Sequence, residues 1–257
     1  MSSLHTPAPL RSTLQRVRSL QRWTHNLWSL RIDRPDGFRF QPGHYTKLGL
    51  PAGDDHAVWR PYSIVSAPDD DELEFLIVLI PGGAFSDRLA AIGPGQNVML
   101  ESAVFGFFLE PQLAAGDTLW MLATGTGLGP YVSLLRTSGA LDRYRRVVLV
   151  HSVRLAAELA YRDELESCVA ASGGRLSYLP VVTREPGASA LSGRLPQLLT
   201  DGALQQRADV ALDPASGRVM VCGNPDFTAD MRRLLNERGF QPCRRGMSGT
   251  MLFEKYW

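Results

Sequence analysis

Four consecutive residues, Arg60-Pro61-Tyr62-Ser63, set a guanidinium, a rigid bend, an aromatic ring and a hydroxyl side by side. Arginine suits a phosphate, tyrosine suits the face of a flat ring, and serine can hydrogen-bond a ring edge. In an extended chain alternate residues share a face, so Arg60 and Tyr62 point one way and Ser63 the other. Pro61 lacks a backbone donor, which argues against an ordinary central strand. A flavin dinucleotide offers partners to all three side chains. An edge strand with a surface arginine is the plainer reading of the same residues.

Two other stretches have the chemistry of phosphate binding. Gly82-Gly83 precedes Ala84-Phe85-Ser86 and a helical pattern over 87–92, a place where free backbone N–H groups can hold a diphosphate. A plain strand-to-helix turn with Ser86 as N-cap explains it equally. The loop Gly125-Thr126-Gly127-Leu128-Gly129-Pro130 departs from GxGxxG spacing, yet it separates an apolar run from a helix, where backbone donors and the helix dipole suit a pyrophosphate. The alternative is a tight turn that uses glycine for positive φ. Arg154, Arg184 and Arg194 follow strand ends. Each alone reads as a solvated charge; together at one sheet mouth they suit an extra phosphate, such as the 2′-phosphate of NADP. Cys222 ends another apolar run, just before Gly223-Asn224-Pro225, and reads alternatively as a small buried apolar residue.

The elements that must position these residues fall into two patterns. Residues 14–33 alternate around a Thr24-His25-Asn26 bend, and 45–50, 73–80 and 97–101 are further short strands separated by turns, which indicates an antiparallel barrel or sandwich. Past Pro111 the pattern changes. Apolar runs at 118–123, 146–151, 176–183 and 219–222 alternate with helical stretches at 131–136, 155–171 and 226–237, as in a parallel sheet with helices on both faces. The expected organisation is a β plus α/β fold, with one domain over 1–110 and a second over 111–257.

Bulk properties narrow the class. A net charge of +1 and 44% hydrophobic residues describe a globular chain and speak against nucleic acid as a partner. No apolar run is long enough to span a bilayer, and the N-terminus lacks the regions of a signal peptide, so the expectation is a cytoplasmic protein with no membrane partner. The three cysteines, Cys168, Cys222 and Cys243, include no close pair, which argues against a disulfide framework or a self-supplied metal site.

Taken in order, Arg60–Ser63, Gly82–Ser86, Thr124–Pro130, Cys222–Pro225 and the terminal Glu254-Lys255-Tyr256-Trp257 resemble the ferredoxin–NADP⁺ reductase family, and most of all its bacterial ferredoxin/flavodoxin–NADP⁺ reductases. The resemblance runs from about residue 14 to residue 257. It implies FAD on an N-terminal antiparallel β-barrel and NADP(H) on the α/β domain. Arg60 would hold the FAD diphosphate beside Pro61, Tyr62 would stack on the isoalloxazine, and Ser63 would bond near flavin N5. Ala84, Phe85 and Ser86 would donate to the diphosphate, and Thr126 would lie near the flavin. Tyr256 would cover the other flavin face as a movable gate, and Trp257 would stack on the adenine. Gly125, Gly127, Gly223 and Asn224 fall to the NADP side, with Arg154, Arg184 and Arg194 at the 2′-phosphate. Ser63, Cys222, Glu254 and Tyr256 form the implied catalytic group.

The implied activity is electron exchange between NADPH and ferredoxin or flavodoxin, in a monomer. A NAD(P)H–flavin or quinone reductase without a protein carrier, or a non-catalytic flavin-binding protein, would use the same module. Arg143, Arg145, Arg146, Arg232, Arg233, Arg244 and Arg245 are the basic candidates for docking an acidic carrier.

Overall fold

The computed structural model describes residues 11–53 and 56–256. Its first half is a six-stranded antiparallel sheet in the order β4-β3-β6-β1-β2-β5: β1 Ser12–Arg22, β2 Leu27–Asp33, β3 Tyr45–Pro51, β4 Ala57–Ser63, β5 Glu72–Val78 and β6 Asn97–Glu101. The sheet curls until its two edges meet. Ile64 bridges Phe75, and the Val65 N–H donates to the Glu74 carbonyl at 2.8 Å, so the end of β4 lies against β5. Leu30, Ile32, Leu48, Leu50, Phe75 and Leu100 fill the interior, and helix α1 (Ala84–Ala90) adds Phe85 and Leu89 to it. Helix α1 begins three residues before the helical pattern in the sequence does.

The second half is a five-stranded parallel sheet in the order β11-β10-β7-β8-β9: β7 Thr118–Thr124, β8 Arg146–Val153, β9 Leu176–Val182, β10 Gly217–Gly223 and β11 Met251–Lys255. The strand order reverses between β7 and β10, the place where ligands bind in open α/β sheets. Both faces are covered. Helices α2 (Gly129–Arg136) and α3 (Arg162–Ala171) lie on the side facing the curled sheet; α4 (Leu195–Thr200), α5 (Ala203–Ala208) and α6 (Pro225–Glu237) lie on the other. The expected helix over 155–171 is broken: a short 3-10 turn at Ala156–Glu158 is followed by Tyr161 at φ +58, and only then does α3 begin. Among the described residues no helix is long and apolar enough to cross a membrane.

The two halves are held together by a buried polar bolt. Tyr161 Oη contacts Ser29 Oγ of β2 at 2.6 Å and donates to Glu74 Oε1 of β5 at 2.8 Å. Arg136 of α2 donates to Glu74 Oε2 at 2.7 Å and reaches Glu164 through two bonds of 2.7 and 2.9 Å. Ser133 of α2 donates to the Ser66 carbonyl at 2.6 Å. The connection between the halves is clasped as well. Arg143 and Tyr144 converge on Glu110, and Arg218 donates to the Ala114 and Ala115 carbonyls.

Candidate active site

The tetrapeptide Arg60–Ser63 closes β4, the edge strand whose only sheet partner is β3. An edge tolerates Pro61, since no second neighbour needs its missing N–H. Arg60 is exposed, and its guanidinium donates to the carbonyl of neighbouring Trp59 at 2.8 Å. Tyr62 is half-buried with its ring 5.5 Å from that of Phe85, and burial pushes its hydroxyl pKa well up. Ser63 is buried, as the alternation requires. The Tyr62–Phe85 contact brings the start of α1 beside the tetrapeptide. The first N–H groups of a helix have no partner inside it, which leaves those of Ala84, Phe85 and Ser86 without an intrahelical acceptor. The Ser86 hydroxyl accepts the Ile80 N–H at 2.9 Å and so pins the preceding turn. A guanidinium, a flat ring and helix-start donors on one surface fit a diphosphate joined to a planar group, which is the donor set FAD needs.

Across from this surface the carboxyl ends of β7, β10 and β11 converge. Ser63 Oγ donates to Glu254 Oε2 at 3.3 Å, and Tyr256 Oη bonds Ser63 Oγ at 3.2 Å and the Thr126 carbonyl at 3.1 Å. Cys222 Sγ lies 3.9 Å from Glu254 Oε2. Four side chains from three separate stretches of the sequence thus meet between the two sheets. Burial raises the Glu254 carboxyl to about 7, against the smaller lowering effects of Ser63 and Cys222. Burial, reinforced by the Glu254 charge, likewise holds the Cys222 thiol and the Tyr256 hydroxyl well above their ordinary values. The thiol and the hydroxyl therefore keep their protons at pH 7, while Glu254 is divided between its two forms, a state in which it can take up and release a proton. The Tyr256 backbone is fixed too, with its N–H donating to the Gly223 carbonyl at 3.0 Å.

The glycines of the two loops do more than expose donors. A Cβ on Gly127 would lie 2.3 Å from the Cys222 carbonyl oxygen, and one on Gly223 would lie 2.0 Å from Thr124 Oγ1. Both must stay bare so that the loops after β7 and β10 can touch at the switch point. Asn224 serves the fold, since its side chain caps α6 by accepting the Phe227 N–H at 2.9 Å.

Arg154 and Arg184 follow β8 and β9, and their loops are joined by the Arg184 N–H to Arg154 carbonyl bond of 2.9 Å. Arg194 stands just before α4. All three are exposed, and among the described residues none is in an ion pair. The nearby carboxylates are occupied by backbone: Glu158 accepts the N–H groups of Arg154 and Leu155, and Glu185 that of Ala156. The loops therefore present exposed guanidinium groups outside any ion pair among the described residues, a set that suits the phosphate of NADP(H). Trp257, assigned to the adenine, lies outside the described residues.

The basic docking candidates need correction. Arg143 is engaged with Glu110 and the Leu113 carbonyl, Arg146 donates to the Ala208 carbonyl, and Arg233 pairs with Glu237. Arg145, Arg244 and Arg245 precede the amino ends of β8 and β11, at the end of the parallel sheet away from Ser63 and Tyr256. Charge counted along a sequence carries no information about which end of a sheet it occupies. Two groups that sequence reasoning missed sit closer: Lys47 over the Phe105 ring, which stacks on Tyr45, and the exposed Lys255 beside Glu254.

A curled antiparallel sheet whose edge carries donors suited to a diphosphate, joined to a switch-point α/β sheet, is the architecture of flavin- and nicotinamide-dependent oxidoreductases. Residues 14–108 match the family described as oxidoreductase FAD-binding domain, and residues 121–233 the oxidoreductase NAD-binding domain. The flavodoxin/ferredoxin–NADP reductase of Escherichia coli (strain K12) is 40% identical over 243 residues, covering 94% of this chain and 97% of that protein. Ferredoxin–NADP reductase A of Sorangium cellulosum is 36% identical over 251 residues, with 95% and 89% covered. A crystal structure of a ferredoxin NADP⁺ reductase from Neisseria gonorrhoeae, with bound FAD and NADP, superposes with a TM-score of 0.91 at 33% identity, covering 96% of this chain and 99% of that one. This chain belongs to the flavodoxin/ferredoxin–NADP reductase family.

Proposed function

We propose that this protein exchanges electrons between NADPH and a ferredoxin or flavodoxin. The observation that carries the reading is the meeting of Ser63, Cys222, Glu254 and Tyr256 at the switch point, beside the donor surface around Arg60. FAD, when bound, supplies hydride acceptance from NADPH and single-electron release to a carrier. The chain supplies position and protons. Arg60 and the α1 start hold the diphosphate, and Tyr62 gives a fixed ring platform. Cys222 sets the approach of the nicotinamide, and the Ser63–Glu254 pair holds a proton within reach of the flavin edge. Tyr256 occupies the nicotinamide's place until it moves aside, which makes it a gate whose resting bonds set its cost. Lys47 and Lys255 are the cations placed to meet an acidic carrier.

The deciding experiment reconstitutes the protein with FAD and follows NADPH-driven reduction of purified ferredoxin, purified flavodoxin and free flavin, at several salt concentrations. Carrier reduction that falls with salt is the expected result. Reduction of free flavin alone would point to a carrier-free reductase, and no FAD uptake would end the proposal.

Coenzyme choice gives a second test. Arg154→Ala and Arg194→Ala should each weaken NADPH by about tenfold, the worth of one charge-assisted bond of about 1.4 kcal/mol. The NADH KM should barely move. Equal losses for both coenzymes would remove these residues from the 2′-phosphate.

A further inference from the structure

His151 is the buried polar group that the chemistry above leaves unused. It ends the apolar run of β8 at 0% exposure, between Ala123 of β7 and Pro180 of β9. The small Ala123 leaves the imidazole room to reach past β7, and Nε2 lies 3.0 Å from the Gly125 carbonyl. A carbonyl only accepts, so Nε2 carries the proton and Nδ1 is a bare acceptor. Nδ1 is buried and has no hydrogen-bond partner among the described residues. Leaving a buried acceptor unsatisfied costs about 1–3 kcal/mol, so an apolar residue here would be the cheaper choice for stability alone.

The bond that His151 does make lands at a telling place. Gly125 takes φ +53, and the peptide it begins leads into Thr126, whose carbonyl accepts the Tyr256 hydroxyl at 3.1 Å. One residue further on, Gly127 is seated against the Cys222 carbonyl with no room for a Cβ. Thr126 lies in the 3-10 turn Gly125–Leu128: its carbonyl also accepts the Gly129 N–H, and His151 holds the carbonyl of the turn's first residue from the side. The Tyr256 hydroxyl has two partners, Ser63 Oγ and the Thr126 carbonyl, and Ser63 can turn its own hydroxyl. Of the two, only the Thr126 carbonyl is fixed by the fold.

We propose that His151 is a positioning residue for the C-terminal gate: by holding the Gly125 peptide it aims the Thr126 carbonyl at Tyr256 and sets how readily that tyrosine gives way to nicotinamide. The inference rests on the gate reading of Tyr256. Without the histidine, the Gly125 carbonyl loses its side-chain partner, the first peptide of the turn can tilt about the ψ of Gly125, and the resting state of the gate has a less rigid acceptor. The gate then opens more easily, and the coenzyme binds more tightly for that reason.

The test is a double-mutant cycle on the FAD-loaded protein, read as NADP⁺ affinity from the flavin difference spectrum, with the thermal midpoint of each variant recorded. His151→Leu should tighten NADP⁺ by about three- to tenfold, the span of one neutral hydrogen bond. His151→Gln, whose amide can still donate from the Nε2 position, should restore wild-type affinity, and His151→Asn, which is too short, should not. Tyr256→Ser alone should tighten NADP⁺, and His151→Leu added to it should change nothing more. If Tyr256→Ser tightens binding but His151→Leu acts equally with and without the tyrosine, His151 is a plain packing residue and the proposal is overturned. No effect of Tyr256→Ser would overturn the gate itself. Should His151→Leu fail to fold, the Gln and Asn pair decides: equal affinity in the two overturns the proposal, and a difference that vanishes in the Tyr256→Ser background supports it.

Discussion

Replacing Glu74 by alanine is expected to destabilise the folded protein by about 3–5 kcal/mol, the usual result of removing one partner from a buried ion pair. Glu74 is 3% exposed, and it accepts from Tyr161, Arg136 and Arg31 together. Its loss leaves the Arg136 guanidinium, whose side chain is 17% exposed, with Glu164 as its one carboxylate partner among the described residues, and it strands the buried Tyr161 hydroxyl on Ser29. In a chain of this size such a loss lowers Tm by about 10 °C. Because Glu74 belongs to one sheet and Arg136 and Tyr161 to the other half, FAD should be released at lower denaturant than in the wild type. Tyr161→Phe keeps the ring against Trp23 and removes only the hydroxyl, so it should cost about 1 kcal/mol. Denaturant unfolding measured by tryptophan and by flavin fluorescence checks both. A loss below about 1 kcal/mol for Glu74→Ala would mean that the bolt is decorative.

The second large effect is one of pH. The Glu254 carboxyl, about 4.5 in an open chain, stands at about 7 in the fold because burial disfavours its charge. The sign follows from linkage. Between these values the native state keeps a proton that the unfolded state has released, so the stabilisation is complete below pH 4.5 and disappears as pH rises through 7. By pH 8 the native protein carries a buried carboxylate at a cost of about 3 kcal/mol. Glu254→Gln removes the ionisation while keeping an acceptor for Ser63, so the variant should gain about that much over the wild type at pH 8 and nothing at pH 4.5. The difference between the two proteins is the quantity to read, because His151 tilts the profile the other way. Burial lowers its imidazole from 6.5 to about 4, so its stabilisation is present above pH 6.5 and is lost as pH falls. If the Glu254→Gln variant and the wild type run parallel across that range, Glu254 is not titrating near 7. The same substitution should erase any inflection near pH 7 in the rate of NADPH-dependent flavin reduction.

The chemistry of the site was legible wherever a residue type is itself distinctive. Arg60, Tyr62, Ser63, the glycine loop and Cys222 can be picked out because few other roles need those groups in that order. Most strands of both sheets were legible as apolar runs; β4, with its polar Arg60–Ser63 end, and β11 were not. β11 is five residues, Met251–Lys255, with a glutamate inside it, and it shows as a strand only when β10 lies beside it. The polar bolt was out of reach for another reason. Its partners are separated by 62 and 87 residues, and a lone glutamate in β5 or a tyrosine before α3 carries no sign of the other. Arg143 and Arg218 looked like any surface arginines, although folding commits them to the carbonyls of the connecting segment. His151 stood in plain view at the end of RVVLVH, but only the Gly125 contact gives it a purpose.

The backbone bond from Tyr256 to Gly223 limits how the C-terminal ring can travel. Strand β11 runs in register with β10 up to Gly223 and Lys255, so the lever arm from the last paired residue to the ring is one residue long. The ring can then clear the site by torsion about its own side-chain bonds, giving up two hydroxyl contacts while the strand stays zipped. Side-chain torsions of this kind run in picoseconds to nanoseconds, against nanoseconds to microseconds for a loop or terminus. On the gate reading, displacement of this half-buried ring is expected to be a pre-equilibrium that is fast relative to unpairing of the strand. Its cost enters as a constant factor in coenzyme affinity and adds no slow phase to stopped-flow traces of flavin reduction.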